Sequence, residues 1–384
     1  MRLELSRVVQ GCRRGVLTGL GRSGGHSLEL PGCLLYTRCA SVPHLTHDTL
    51  HTLPHLPPVT QISLDSLAEH QEVLEEFGEG VAKFAGLHDT VLFCSLHDLA
   101  TPRPSGYNTN KTVSVWGSGG RIELSAARYM ALQAAIRPDW YQSLADGETP
   151  PSASRKRARK AVDRTLTHLD ECLSLHHQTQ ELRGAEIFGV VEGGDVLEER
   201  PELRCQLIAG VTKELPEDKP RLLLGVGCPD EVLACVEAGV DLFESSFPFQ
   251  VTERGCALCF SFNIEPDPES AVLERNGPQS DGERGAKTQD DPEQMTPFEM
   301  NLKDKRYRDD FRPLVAGCEC YCCRHHQRAY LHHLLVTNEL LAGVLLMLHN
   351  LTHYCGFFRA LRGALESGRL QALRRRILQR EGGV

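Results

Sequence analysis

The sequence lacks an excess of positive charge, a disulfide pattern and a long uninterrupted apolar run. Its 42 Lys and Arg against 51 Asp and Glu give a formal net charge of −9. A protein that grips nucleic acid alone usually carries a strongly basic domain, so this chain would bind it weakly, locally or with help. The longest apolar stretch, 334–348, is interrupted by Asn338 and Glu339, and is too short for a bilayer. We therefore expect no transmembrane span.

Cysteine is present but sparse for a secreted protein. Disulfide scaffolds are short and cysteine-dense, whereas this chain has 15 cysteines, an odd number, in 384 residues. The thiols are therefore predicted to be reduced and the protein intracellular. The first 22 residues are rich in Arg, with Glu4 the only acid, as in mitochondrial presequences. Glycines at 11, 15, 19 and 21 would break an amphipathic helix, which favours strands and turns of a folded domain.

Alternating strands and helices give the main fold signal. Residues 90–96 are a continuous apolar run, typical of a parallel strand buried on both faces. Residues 125–136 have helical periodicity, with Ser125 at the cap position. Further strands are predicted at 28–36, 59–64, 112–116, 140–144, 187–191, 221–226 and 240–243, and further helices at 161–182, 230–238, 328–349 and 357–378. This order indicates an α/β barrel or a doubly wound sheet.

Four cysteines fall within six residues near the C-terminus, at 318, 320, 322 and 323. Thiolates favour zinc, and three of them with one imidazole make the closed tetrahedral shell of a structural site. Such a site would fasten a loop to a distant element and stabilise the fold. Buried cysteines also serve as small hydrophobes, but this clustering favours metal. Spacing alone leaves the full ligand set open, because the chain also offers Cys322, His325, His326, His332, His333, His349 and His353.

Residues 301–351 resemble the zinc subdomain of tRNA-guanine transglycosylases. The family signature is Cys-x-Cys-x-x-Cys, then 25 residues, then His, and here it falls on Cys318, Cys320, Cys323 and His349. The resemblance implies that these four residues hold one structural Zn²⁺. Segments 119–148 and 225–249 are similar to barrel segments of the family. The implied fold is a TIM-type (β/α)8 barrel with a zinc-binding subdomain near its C-terminal end.

Composition and resemblance together divide the chain into three parts. Residues 1–263 are predicted to form the α/β barrel, and 297–384 the zinc-binding subdomain with the C-terminal helices. The part between them, 264–296, is rich in Glu, Asp, Pro, Gly, Gln and Ser and poor in apolar residues. We expect this acidic segment to be a disordered loop.

The resemblance also implies a base-exchange reaction, but this chain lacks residues that the reaction needs. Catalytic members exchange a guanine in a tRNA anticodon for a deazaguanine, with an aspartate nucleophile on the ribose. Here the nucleophile position is Glu244, one methylene longer. A misplacement of about 1 Å can cost on the order of 100-fold in rate. Gln250 stands where catalytic members have an RNA-facing Arg.

The second carboxylate of the family is also missing from its motif. The nearest segment here, Ser95-Leu96-His97-Asp98, lacks the family's glycines. Glu192 stands where a Gln reads the base, and a buried carboxylate there has the wrong hydrogen-bonding pattern. These departures predict that the chain has no catalytic residues, with Glu244 only occupying the nucleophile position.

One strand-helix unit is predicted to be missing near 195–220. Only 26 residues separate Gly194 from Arg221, and they read as one helix. A βαβ unit takes about 30 residues or more. A barrel without one strand would have unpaired edges.

The resemblance, together with these departures from the family pattern, implies a non-catalytic subunit of a heterodimeric queuine tRNA-ribosyltransferase. It would support exchange of guanine for queuine at the wobble position of tRNAs with GUN anticodons (Asp, Asn, His and Tyr). Catalysis would lie in the partner subunit, and tRNA would bind through the complex; a homodimer is the alternative assembly. The resemblance implies a cytoplasmic protein, peripheral at the mitochondrial outer membrane.

Two other hypotheses remain open. The first is a catalytically active transglycosylase that uses Glu244 as its nucleophile. The second is a zinc-stabilised RNA-binding or scaffold protein without a role in base exchange. The missing second carboxylate argues against the first, and the acidic charge balance argues against the second acting alone.

Overall fold

The structure is a computed structural model that describes residues 1–379 apart from 88, 103, 105–106, 148, 150–152, 192–200 and 266–294. The chain divides into two compact units. Unit 1 comprises residues 1–227 and 234–246, and unit 2 comprises residues 228–233 and 247–384. The boundaries predicted at 263–264 and 296–297 stay predictions, as does the disorder of the acidic segment, most of which lies outside the described residues.

The described strands and helices follow each other in the alternating order that the sequence predicts. The strands are β1 Arg2–Val9, β2 Cys12–Leu20, β3 His26–Leu30, β4 Gly32–Tyr36, β5 Val59–Ser63, β6 Val91–Ser95, β7 Val113–Gly117, β8 Gly120–Leu124, β9 Trp140–Gln142, β10 Glu186–Phe188, β11 Leu242–Glu244, β12 Cys256–Leu258 and β13 Glu299–Asn301. The helices are α1 His47–Leu50, α2 Gln71–Phe77, α3 Val81–Phe84, α4 Ala126–Ile136, α5 Arg155–Gln178, α6 Pro201–Glu214, α7 Pro229–Glu237, α8 Ser246–Glu253, α9 Tyr321–His325, α10 Arg328–Val336, α11 Leu340–Ser367 and α12 Leu370–Leu378.

Six parallel strands form the wall of unit 1, in the order β10-β9-β6-β5-β4-β11. Every residue of β4, β5, β6 and β11 is buried, as expected for parallel strands covered on both faces. The last wall strand, β11, lies beside the first, β4, which is how a barrel closes. The predicted barrel-type α/β fold is confirmed.

An antiparallel sheet, β1-β2-β3, covers one end of this wall. Leu17 and Leu20 of β2 are fully buried in one cluster with Val59, Phe93 and Trp140. Val59 and Trp140 begin their strands, so the cover lies at the N-terminal end of the barrel. The strands and turns predicted for the first 22 residues are confirmed.

Helices pack on the outside of the wall. The Ser125 hydroxyl accepts the Arg128 N–H at 3.3 Å and caps the start of α4, as predicted. Buried residues of α4, among them Leu132 and Ile136, share a core cluster with Leu92 and Cys94 of β6. This layer fixes the strands whose C-terminal ends carry the polar residues discussed below.

The described strands leave the wall unpaired at one place. Among the described residues no strand lies between β10 and Leu222, and Leu222 makes only a single parallel bridge, to Leu242. Helix α6 occupies much of the intervening chain. This agrees with the predicted loss of a strand-helix unit, although Glu192–Gly194 lie outside the described residues. The strands predicted at 187–191 and 221–226 were too long, since they shrink to β10 and that one bridge.

Unit 2 contains the β12-β13 ribbon and the C-terminal helices, together with most of α8. The two helices predicted at 328–349 and 357–378 were wrong in their bounds, because three helices cover this range. The helices are interrupted at Asn338 and at Gly368, whose backbones lie in the left-handed region with φ of 57° and 74°. Both breaks are short, so apolar periodicity alone does not locate them.

Helix α11 is long and apolar enough to cross a membrane. The sequence predicted no apolar segment of this length. However, 67% of its most apolar window is buried inside the protein. One such buried helix is typical of a soluble core, so it is weak evidence for a membrane span.

Candidate metal centre and the altered strand end

Three cysteine sulfurs converge around the start of α9. Cys320 is the N-cap residue of this helix, and its sulfur accepts the Cys323 N–H at 3.3 Å. Cys318 lies two residues before the cap and Cys323 in the first turn. A Cys-x-Cys-x-x-Cys spacing therefore gathers three thiols by local backbone geometry alone.

His349, from the middle of α11, completes the cluster. Its Nδ1 lies 3.4 Å from the sulfurs of Cys320 and Cys323, and 3.8 Å from that of Cys318. All four ligand atoms lie within 4.8 Å of one another. A tetrahedral zinc with bonds of about 2.3 Å to sulfur and 2.0 Å to nitrogen would put S and N about 3.5 Å apart. The four residues fit such an ion.

The second nitrogen of His349 is also fixed. Its Nε2–H donates to the Leu258 carbonyl at 2.8 Å, which orients the ring with Nδ1 directed at the sulfurs. One turn away, His353 donates in the same way to the Phe260 carbonyl at 2.9 Å. Burial lowers the pKa of His353 to about 3, so this ring stays neutral.

Four of the other candidate ligands make contacts away from this cluster. Cys322 is fully buried in the surrounding core, and burial raises the pKa of its thiol. His332 bonds the Leu302 carbonyl at 2.8 Å. His325 and His326 contact the Tyr321 ring. Within the described residues, Cys318, Cys320, Cys323 and His349 are the group with metal-binding geometry.

Glu244 ends β11 with its side chain turned inward. It is 1% exposed, and its carboxylate accepts both the backbone N–H and the hydroxyl of Ser246, the latter at 2.8 Å. Burial raises the pKa of Glu244 to about 7, although the Ser246 hydrogen bonds lower it in part. The carboxylate is used to begin α8 and is closed to solvent.

Asp98 is also used structurally. Its carboxylate accepts the Tyr36 hydroxyl at 2.8 Å, the Ala100 N–H at 3.0 Å and the Thr101 hydroxyl at 2.8 Å. Burial raises the pKa of the Tyr36 hydroxyl, and the Asp98 hydrogen bond raises it further. Asp98 therefore shapes the loop after β6.

Sequence reasoning missed a buried carboxylate, Asp146, in the segment after β9. It is fully buried and accepts two hydrogen bonds from Arg157 at 2.8 and 2.9 Å, and one from Arg164 at 2.9 Å. The Asn108 amide donates to it at 2.8 Å. Burial would raise the pKa of Asp146, but these hydrogen bonds outweigh it and lower the pKa. Residues 155–160 read Arg-Lys-Arg-Ala-Arg-Lys, and this basic run is the sequence feature that could have indicated the anchor.

Comparison with known proteins gives a consistent set of similarities. The family model described as "Queuine tRNA-ribosyltransferase" matches residues 10–202 and 193–382. Three relatives described as "Queuine tRNA-ribosyltransferase accessory subunit 2" illustrate the range. The one from Danio rerio is 67% identical over 416 positions, covering 100% of both chains. The one from Homo sapiens is 52% identical, covering 98% of this chain and 99% of its own. The one from Ixodes scapularis is 35% identical, covering 91% and 93%.

Proposed function

Because this chain belongs to the queuine tRNA-ribosyltransferase family, we propose that it is the accessory, non-catalytic subunit of that enzyme. The observation that carries the proposal is the state of Glu244. At the position where the resemblance expects a nucleophile, a longer carboxylate is buried and bonded to Ser246. A nucleophile must reach its target atom at about 3 Å, which a closed carboxylate does not allow.

The partner in this proposal is a catalytic subunit of the same family, bound as a heterodimer. The partner supplies the chemistry that exchanges guanine for queuine at the wobble position of GUN-anticodon tRNAs. This chain contributes tRNA contacts only as part of the complex, because its net charge is −9.

Zinc is the metal proposed for the Cys318, Cys320, Cys323 and His349 cluster. Three sulfurs and one imidazole select zinc over hard cations such as magnesium and calcium. The four protein ligands leave no open position, so the ion is structural and joins the α9 region to α11.

We further propose a cytoplasmic location, with peripheral association at the mitochondrial outer membrane. Within the part of the chain that the structure describes, no two cysteines form a disulfide, which suits a reducing compartment. The membrane association rests on the resemblance alone. Fractionation of cells with and without carbonate extraction of mitochondria would test it, since a peripheral protein is released.

The test of the accessory role measures incorporation of labelled queuine or guanine into tRNA. Three reactions are compared: this chain alone, the catalytic subunit alone, and both together. We expect activity only, or far more strongly, with both. Incorporation by this chain alone, abolished by Glu244→Gln, would instead establish the catalytic alternative. Failure to co-purify with the catalytic subunit would favour the scaffold alternative.

A further inference from the structure

The wall of unit 1 ends at two edges, here called lips: β10 on one side and residues 222–224 on the other. The two lips together are called the seam. Six wall strands and the Leu222 bridge give seven parallel segments, one fewer than a (β/α)8 barrel has. In the part of the chain that the structure describes, the sheet ends at these two lips. The seam lies entirely within unit 1.

Backbone groups on both lips point into the seam. In parallel strands alternate residues bond to one side. Glu186 donates its N–H to Asp139, and Phe188 accepts from Ser143, both at 2.8 Å and both towards β9. The N–H and C=O of Ile187 between them therefore face the seam. On the other lip Leu223 and Arg221 bond Leu242 of β11, so the backbone of Leu222 faces the seam.

The side chains of the lips are less buried than the rest of the wall. All residues of β4, β5, β6 and β11 are buried, whereas all three residues of β10 and Leu222, Leu223 and Leu224 are only half-buried. Phe188, Leu222 and Leu224 pack against the barrel interior, and the Phe188 ring lies 5.7 Å from that of Trp140. The seam is thus apolar inside and lined by backbone donors and acceptors.

The lengths of the alignments indicate how much chain a relative has beyond the residues present here. The alignment with the Danio rerio relative spans 416 positions against the 384 residues here, so at least 32 positions exist only in the relative. The family match breaks into two overlapping parts at 193–202, beside the seam. A barrel of about 250 residues with eight repeats has about 31 residues per strand-helix unit. The difference is therefore the size of one unit.

We propose that the seam of this chain is a binding site for an added parallel strand, namely a strand-helix segment of the kind the longer relatives carry, supplied by a separate polypeptide. The segment would bond the backbone of Ile187 and Leu222 and place alternate apolar side chains on Phe188 and Leu224. This is strand addition at an exposed sheet edge, with main-chain bonds for affinity and apolar contacts for selectivity. The inference does not depend on the accessory role.

The test uses a synthetic peptide with the residues of the Danio rerio relative that have no counterpart beside 193–202. Binding of the labelled peptide to the full chain is measured by fluorescence anisotropy, and hydrogen exchange locates it. We expect saturable binding that slows amide exchange at Ile187 and Leu222. A scrambled peptide should not bind. Unchanged exchange in β5 and β6 would verify that the wall stays folded.

Two variants sharpen the result. Ile187→Pro removes the N–H that faces the seam but leaves the bonds to β9, and we expect it to weaken binding by about tenfold or more. Ile187→Ala keeps that N–H and serves as the matched control, with a smaller effect. A chain with the relative's unit inserted in sequence should not bind the peptide, because the seam is then filled.

Three outcomes would overturn the proposal. The first is no binding by a folded chain, and the second is equal binding by the chain with the inserted unit. The third is concentration-dependent dimerisation that protects Ile187 and Leu222 without peptide, which would make a second copy the occupant.

Discussion

At the residue scale, one difference from the family pattern changes both the length of a side chain and its surroundings. Glu244 replaces the aspartate that the resemblance expects, and the extra methylene lets its carboxylate fold back onto Ser246. Asp241, which immediately precedes β11, is also buried, and burial raises its pKa to about 6. This short strand therefore has a carboxyl group at each end that burial drives towards the neutral form.

We predict that Glu244→Gln makes stability less dependent on pH. The pKa of Glu244 is raised from 4.5 to about 7 in the folded state, so the folded state holds a proton that the unfolded state loses. The free energy of unfolding should then fall between about pH 4.5 and 7, by up to about 3 kcal/mol. In the variant this part of the slope should be absent, whereas the contributions of the other groups with shifted pKa, among them Asp241 and His353, should stay the same.

Urea unfolding at pH 5, 6, 7 and 8 would measure this effect. The exposed Glu123→Gln serves as the control and should leave the slope unchanged. Identical slopes in Glu244→Gln and the unsubstituted chain would show that Glu244 is ionised throughout.

At the element scale, buried charges join neighbouring elements more firmly than sequence patterns suggest. The basic run 155–160 at the start of α5 is typical of an exposed helix end. However, Arg157 in this run and Arg164 on the same helical face both bond Asp146. The loop after β9 is thereby fixed to the first half of α5. Because Asp146 is fully buried, this anchor has little competition from water.

We predict that Asp146→Asn destabilises the protein by about 3 kcal/mol, since two arginines would lose their charged partner in a buried place. Chemical denaturation at neutral pH would give the value, monitored by far-UV circular dichroism. Glu123→Gln breaks only an exposed pair with Arg121 and should cost less than about 1 kcal/mol. A loss for Asp146→Asn no larger than this would mean that the network contributes little.

At the scale of the whole molecule, each unit has its own apolar core, and in unit 2 this core borders the metal-binding cluster. Unit 1 is held by the apolar interior of the wall and its helical layer. In unit 2 the core cluster includes Cys320 and Cys322 and borders Cys318 and Cys323. If zinc occupies this cluster, part of the stability of unit 2 is metal-binding free energy.

We predict that removal of metal loosens unit 2 and spares unit 1. Cys323→Ser should reduce bound zinc from about one ion per chain to near zero, and a chelator should do the same to the unsubstituted chain. Hydrogen exchange should then speed up in α10 and α11 but not in β5 and β6. Cys322→Ala, which removes a buried thiol that is not directed at the cluster, should retain zinc.

Zinc content by elemental analysis, together with peptide-level exchange, would measure both effects. Zinc retained at full stoichiometry in Cys323→Ser would exclude Cys323 as a ligand. Equal loosening of β5 and β6 would show that the units do not respond separately.

The sequence by itself determined the features that depend on short separations along the chain. Cys318, Cys320 and Cys323 lie within a single turn, so their spacing alone brings the sulfurs together. Continuous apolar strands predicted a buried parallel sheet. The short interval between Gly194 and Arg221 predicted a missing strand-helix unit. The family signature added His349, which spacing alone left among several candidates.

Only the tertiary structure decided what depends on groups far apart in sequence. It placed Nδ1 of His349 against the sulfurs and turned Cys322 into the core. It also buried Glu244 and Asp146, whose partners and exposure no local pattern reveals. The openness of the wall at Ile187 and Leu222 follows from which strands pair. Burial and sheet pairing are set by the whole fold, and so they appear only when the chain has closed on itself.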